Sequence, residues 1–226
     1  MHRHFERELK RLLDLFANLC NLVEKNFSDL LGAMEKMDGQ TLEFIKKNDK
    51  IIDENEILIE EECLKILALY QPVAGDLRQI VAILKINNDM ERIGDLTANI
   101  ASRSLSLQKS NLPILKYLIP EMAFNVKKML KDAVDSVLQK KLDLAVQVCS
   151  LDDEIDKMHA KMYQVLQGEF EKNPALFTAY MNYISISRFL ERIADHTTNI
   201  AEDLLYMLEG EIFRHRERIE LGSGNA

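Results

Sequence analysis

Apolar residues recur along most of this chain at intervals of three and four, the spacing that lines one face of an α-helix. Leu9, Leu12, Leu13, Phe16, Leu19, Cys20 and Val23 form one such stripe, predicting a helix from about Arg3 to Lys36, with Gly39 as the stop beyond its last turn. Ile45, Ile52, Ile59, Cys63 and Ile66 mark a second helix from Gln40 to Tyr70, which Pro72 cannot extend. A third runs from Val73 to about Gln108 on the register Ile83, Ile86, Met90, Ile93, Thr97, Ile100, a bundle seam. Asn111-Leu112-Pro113 interrupts the pattern, and Pro120-Glu121 reads as the first turn of a fourth helix, with an acid suited to its dipole. That helix reaches about Lys140, and a fifth covers Lys141 to Lys172. Asn173 is then expected to cap a sixth helix with Pro174 at its first position. The sixth seam, Ile186, Leu190, Ile193, Thr197, Ile200 and Leu204, matches the third in register.

The match goes deeper than the seam. Glu91-Arg92-Ile93-Gly94-Asp95-Leu96-Thr97-Ala98-Asn99-Ile100-Ala101 returns as Glu191-Arg192-Ile193-Ala194-Asp195-His196-Thr197-Thr198-Asn199-Ile200-Ala201, with eight of eleven positions identical at an offset of 100 residues. One supersecondary unit is therefore used twice. Short connections make sequential helices antiparallel neighbours. The expected fold is all-α: a tandem repeat of two antiparallel three-helix bundles, six helices in all. The first bundle is placed at residues 1–110, the second at 111–221, and a disordered tail at 222–226.

The chain is short of the residues that make turns. Eight Gly and four Pro among 226 residues leave almost no room for a turn-rich β-protein. Cys20, Cys63 and Cys149 are far apart and set among apolar neighbours, which suits reduced core thiols rather than a disulfide framework or a CxxC metal site. The start, His2-Arg3-His4-Phe5-Glu6-Arg7, lacks an apolar signal core, and no uncharged apolar run approaches the roughly 18 residues of a membrane span. A soluble, cytoplasmic protein is expected. A net charge of -8 opposes general nucleic-acid binding.

Charge placement carries the candidate chemistry. Glu91 and Asp95 stand four apart on one face of the third helix, and Glu191 and Asp195 repeat them on the sixth. Both pairs sit at the edge of the seam, beside Gly94, Ala98 and Ala101 in the first half, where a neighbouring helix can come close. The second helix has Asp49 and Asp53 at the same spacing, and the fifth has Asp152 and Asp156. Counting from the turn at residue 72, Asp53 and Glu91 are each 19 residues away and Asp49 and Asp95 each 23, so the four carboxylates should converge. The second half repeats this about residue 174. Two such quartets repel internally unless something positive intervenes. Hard divalent or trivalent cations suit oxygen donors with no nearby Cys, and two ions bridged by acids at roughly 3.5–4 Å would be geometrically natural.

Other readings remain open. Glu- and Asp-rich helices show such spacings while merely solvating a bundle surface, and Arg92 and Arg192 read as surface groups able to pair with first-helix acids such as Glu24. His196 reads as a surface histidine, Leu96 holding its place in the first half. Asp156-Lys157-Met158-His159 has the carboxylate and His spacing of di-iron bundles but lacks the second copy such a site needs. A carboxylate-bridged enzyme of the ferritin-like kind and an ion-free helical scaffold are the rival functions. There is no phosphate-cradling Gly-rich loop, no HExxH and no nucleophile with a base beside it.

The stretches Leu67-Ala68-Leu69-Tyr70-Gln71-Pro72-Val73-Ala74-Gly75-Asp76-Leu77-Arg78, Asp89-Met90-Glu91-Arg92-Ile93-Gly94-Asp95 and Glu191-Arg192-Ile193-Ala194-Asp195-His196 resemble the PhoU family of phosphate transport regulators over nearly the whole chain. The resemblance implies a six-helix, often homodimeric protein with a regulatory rather than enzymatic role, carrying iron, zinc, magnesium or manganese. It assigns Asp49, Asp53, Glu91 and Asp95, with Asp152, Asp156, Glu191 and Asp195, as metal residues. It further implies action at the cytoplasmic side of a phosphate ABC transporter, through the transporter's ATPase subunit and the sensor histidine kinase of the phosphate response, both held off when phosphate is plentiful. Contact with the membrane would be through those partners alone. Asn173-Pro174-Ala175 replaces Gln71-Pro72-Val73, so any contact made by Asp76 or Arg78 would be one-sided.

Overall fold

The computed structural model describes residues 2–210; the expected tail at 222–226 and the end of the expected second unit lie outside them. Six helices follow in order: α1 His2–Lys36, α2 Gly39–Tyr70, α3 Ala74–Lys109, α4 Ile119–Gln139, α5 Leu142–Lys172 and α6 Phe177–Glu209. No strand occurs among the described residues. Helices α1 to α3 and α4 to α6 form the two bundles, and both predicted seams are buried along their whole length. Each large apolar side chain so buried contributes about 1.5–3 kcal/mol.

The bundles do not stand apart. Helix α3 packs more extensively on α6 than on any other element, so one core runs unbroken from Leu12 to Met207. Lys85 Nζ reaches Asp203 Oδ1 at 3.0 Å, and Asp89 Oδ1 meets His196 Nδ1 at 2.7 Å. Rising numbers on one helix thus face falling numbers on the other, and α3 and α6 are antiparallel. The α2–α3 and α5–α6 turns therefore lie at opposite ends of the molecule.

Two helix ends differ from expectation. The α1–α2 break is made by Met37 in the left-handed region (φ 52°), with Asp38 N–H donating to Ala33 O at 2.9 Å. Gly39 already belongs to α2. Asp38 is its cap, accepting from the N–H groups of Gln40 and Thr41 at 3.0 and 3.2 Å. What Gly39 does instead is leave room for Gln108, whose amide lies where a Cβ would be and bonds Met37 O. At the other break, Asn173 makes no side-chain cap, and Pro174–Leu176 forms a 3₁₀ turn before α6 starts at Phe177. Proline's missing N–H and fixed φ favour that tighter turn as readily as a helix start. Pro120 and Glu121 do occupy the first turn of α4.

Between the halves, the Tyr183 hydroxyl donates to Pro113 O while its ring stacks edge-on against Tyr117, 5.1 Å between centroids. These contacts pin the connecting segment to α6. Cys20 and Cys63 are buried free thiols, and Cys149 is half-buried.

Candidate metal centre

Helices α2 and α3 are held close by the residue between their acids. A Cβ added to Gly94 would lie 2.9 Å from Ile52 Cδ1 and 3.3 Å from Asp49 Oδ1. Only a glycine lets the two backbones approach this far without displacing Ile52. The facing carboxylates come together at this level in both halves, although Ala194 holds the glycine's place in the second. One oxygen from each of Asp49, Asp53 and Asp95 lies within 4.8 Å of the others, and the same holds for Asp152, Asp156 and Asp195 in the second half. Gly94→Ala is expected to cost roughly 1 kcal/mol in thermal unfolding, about 1–3 for overpacking less about 1 gained in helix propensity. A melting curve unchanged from wild type would show the approach to be slack.

Of each predicted quartet the structure therefore gathers three. Glu91 and Glu191 stand outside these groups of three. They still feel the cluster: burial raises the Glu91 carboxyl, helped by Asp95 and opposed by Arg92, and burial then Asp156 raise that of Glu191. Asp49 is the deepest member. Its Oδ1 is shut off from solvent and accepts no hydrogen bond from any described residue. Burial first, then the Asp95 and Asp53 carboxylates, push its carboxyl up to about 7. Burial and Glu191 raise that of Asp195 to about 6.

Arg92 departs from expectation. It turns back to its own cluster, with Nε 3.3 Å from Glu91 and Nη1 3.2 Å from Asp95, rather than to an acid of α1. The reason is proximity along the helix, since Asp95 is three residues on and Arg92 is half-exposed. One guanidinium does not balance four carboxylates.

His196 also departs. It is no surface residue but lies in the α3–α6 seam, 17% exposed and bonded through Nδ1 to Asp89. Its helix-wheel position faces outward from a lone bundle; it is the second bundle that covers it. Asn199 reaches the same Asp89 oxygen at 3.4 Å.

Sequence reasoning passed over a duplicated tie beside each cluster. Asn87 Nδ2 donates to Glu56 O at 2.9 Å and Oε1 at 3.2 Å, while His159 Nδ1 meets Ser187 Oγ at 2.9 Å. Glu56 and His159 are equivalent positions of the repeat, one turn beyond Asp53 and Asp156. The clue was present in the stripe Asp49, Asp53, Glu56. Burial raises the Glu56 carboxyl and lowers the His159 imidazole, each in the direction of its neutral form. With His159 turned to Ser187, its spacing from Asp156 does not make a ligand pair.

Two groups of three converging carboxylates, one with an orphaned buried oxygen, form an all-oxygen donor set of the kind hard cations prefer. Asp49, Asp53 and Asp95, with Glu91 beside them, would hold such an ion in the first half. Asp152, Asp156, Asp195 and Glu191 would do so in the second.

Comparison with known proteins bears on this arrangement. The sequence model of the PhoU domain matches twice, over residues 16–104 and 119–204. The chain is 34% identical over 228 residues to the phosphate-specific transport system accessory protein PhoU homolog 1 of Thermotoga maritima, covering 100% of this chain and 98% of that one. It is 36% identical over 217 residues to the PhoU homolog of Aquifex aeolicus, covering 96% and 98%. The crystal structure of PhoU from Pseudomonas aeruginosa superposes with a TM-score of 0.87 at 32% identity, covering 92% of this chain and 100% of that one.

Proposed function

This chain belongs to the PhoU family, and from that premise we propose that it is an accessory protein of a phosphate-specific transport system whose two acidic clusters hold hard cations. Loaded with iron, zinc, magnesium or manganese, it would restrain the transporter and the phosphate-response kinase from the cytoplasm when phosphate is sufficient. The observation that carries the cation reading is the buried Asp49 Oδ1, which has no hydrogen-bond donor and two further carboxylates within 4.8 Å. A buried carboxylate oxygen without a partner costs about 1–3 kcal/mol, and a bound cation removes that cost. The ion supplies positive charge; the chain supplies the anchors that fix α2 to α3 and α5 to α6 at one height. No helix among the described residues is long and apolar enough to cross a membrane; the transporter's ATPase subunit is the partner this reading proposes.

The reading is regulatory rather than catalytic. The clusters offer carboxylates alone, and the histidines beside the second one, His159 and His196, bond Ser187 and Asp89. Pull-down of the transporter ATPase and of the sensor kinase by the metal-loaded protein tests the adaptor role. Capture of at least one, weakened by chelator, is the expected result; capture of neither would remove the basis for it. Oxygen consumption by the iron-loaded form that vanishes in Glu91→Ala would favour the ferritin-like alternative.

A further inference from the structure

Helices α5 and α6 leave an apolar groove between them near their shared turn. Leu166 and Tyr180 form its buried floor, Tyr163 and Phe170 one wall, and Phe177 and Met181 the other. It holds about 280 Å³, and no charged side chain lines it. The four wall residues are 40–53% exposed. Apolar side chains gathered in the open in this way mark an interaction site.

The groove has a closed end and an open one. At the turn, the Phe170 and Phe177 rings meet edge to face with centroids 5.8 Å apart, which blocks it. In the other direction it runs past Ile184 and the His159–Tyr163 ring pair, 5.3 Å between centroids, and reaches Arg188 one turn on. Arg188 is exposed, and its charge is felt across the groove at His159, whose imidazole is lowered by burial and then by this guanidinium. From Phe177 to Arg188 is three turns of α6, about 16 Å.

The duplication shows that the fold does not require these residues. Aligned on the acidic clusters, the first half has Glu60 in place of Tyr163, Leu77 in place of Phe177 and Asn88 in place of Arg188. Neither ring nor cation is needed to close α2 on α3. An aromatic groove that ends at a guanidinium is particular to the second half.

Shape and charge together specify the occupant. A small-molecule site buries most of its ligand, whereas walls half open to solvent suit a body that brings its own polar outer side. Two helices with a furrow between them seat a third through side chains on its successive turns. Charge at the open end selects the sign. Counting from the turn, Arg188 is the first charged residue of α6; on α5, beyond Glu169, which is paired with Lys172, the first are Lys161 and Lys157, both exposed. An occupant is therefore favoured if it is acidic there.

We propose that the α5–α6 groove seats an amphipathic helix of another protein, whose apolar stripe fills the groove over two turns and whose acidic residue, one turn further, pairs with Arg188. This seat needs neither a cation in the clusters nor any particular transport component, so it goes beyond the reading above and stands without it.

Selection from a display library of helical peptides of about 15 residues against the full chain tests it. Enriched peptides are expected to share an apolar stripe at helical spacing and an Asp or Glu one turn beyond it. For the tightest of them, Phe177→Ser should raise Kd roughly thirtyfold, as for a groove anchor, and Arg188→Glu roughly tenfold, with circular dichroism unaltered. Replacing the peptide's acid by Lys should restore binding to Arg188→Glu. Leu77→Ser, the same change in the first half, and chelator should both leave the affinity as it was. No enrichment, or binding indifferent to Phe177→Ser and Arg188→Glu, would overturn the proposal. So would phosphatidylglycerol vesicles, or a second copy of this chain, held through Phe177 in the peptide's place.

Discussion

Protein purified without chelator is expected to carry cations and to melt well above the same protein stripped by one. Binding confined to the folded state stabilises it by about 4 kcal/mol at a thousandfold excess over Kd. For a chain of this size that corresponds to roughly 8–16 °C in Tm. The large effect follows from where the donors sit: Asp49, Asp53 and Asp95 come from two helices, so an ion joins elements that unfolding would separate. Glu91→Ala and Asp195→Ala strike one half each. Each should lower the cation content by up to half and remove the corresponding part of the Tm rise, while helix content persists. Elemental analysis alongside thermal melts reads both quantities. Full cation content in Glu91→Ala and Asp195→Ala together would dismiss the clusters as the binding site.

The sequence made the six helices legible because their core stripes are long and their breaks fall at prolines or left-handed residues. It made the clusters legible because duplication turned one weak spacing into four, and residue counts from two turns set their height. What it could not show was which oxygens meet. Glu91 follows the same spacing as Asp49 yet stays outside the 4.8 Å group, although its side chain is less exposed than that of Asp95. The α3–α6 seam was also hidden. A repeat signals two similar units but not how they pack, and so His196, which meets Asp89 only across that seam, reads as a surface residue. Gly39 misled for a similar reason: its lack of a side chain serves Gln108 from α3, a contact 69 residues away, and not the turn beside it.

The halves are not equivalent, and the difference has a consequence in pH. Asp49 is raised to about 7 and Asp195 to about 6, each first by burial and then by its neighbouring carboxylates. An acid whose folded value exceeds its unfolded one holds its proton more tightly when folded. Its contribution to stability is therefore complete below the unfolded value near 4 and is lost as pH rises through the folded value. The stripped protein should accordingly lose stability between about pH 4 and 7. Asp49 is partly and Asp195 more fully open to solvent, which reduces the raw shifts; together they are worth on the order of 2–4 kcal/mol, or roughly 4–16 °C in Tm. Asp38, Glu8 and Glu169 have lowered carboxyls, through bonds to Thr41, Lys65 and Lys172, so they act with the opposite sign and below this window. Asp49→Asn removes the larger part. In the stripped state it should melt higher than wild type near pH 7.5 and lose most of the slope, although in the loaded state it should melt lower, having given up a ligand. Saturating cation should also invert the wild-type slope, since protons then compete with the ion for the same oxygens. Melts of stripped protein across pH 4.5–8 decide the matter, and a Tm that is flat or rises with pH in wild type would mean the carboxylates do not crowd one another in the folded chain.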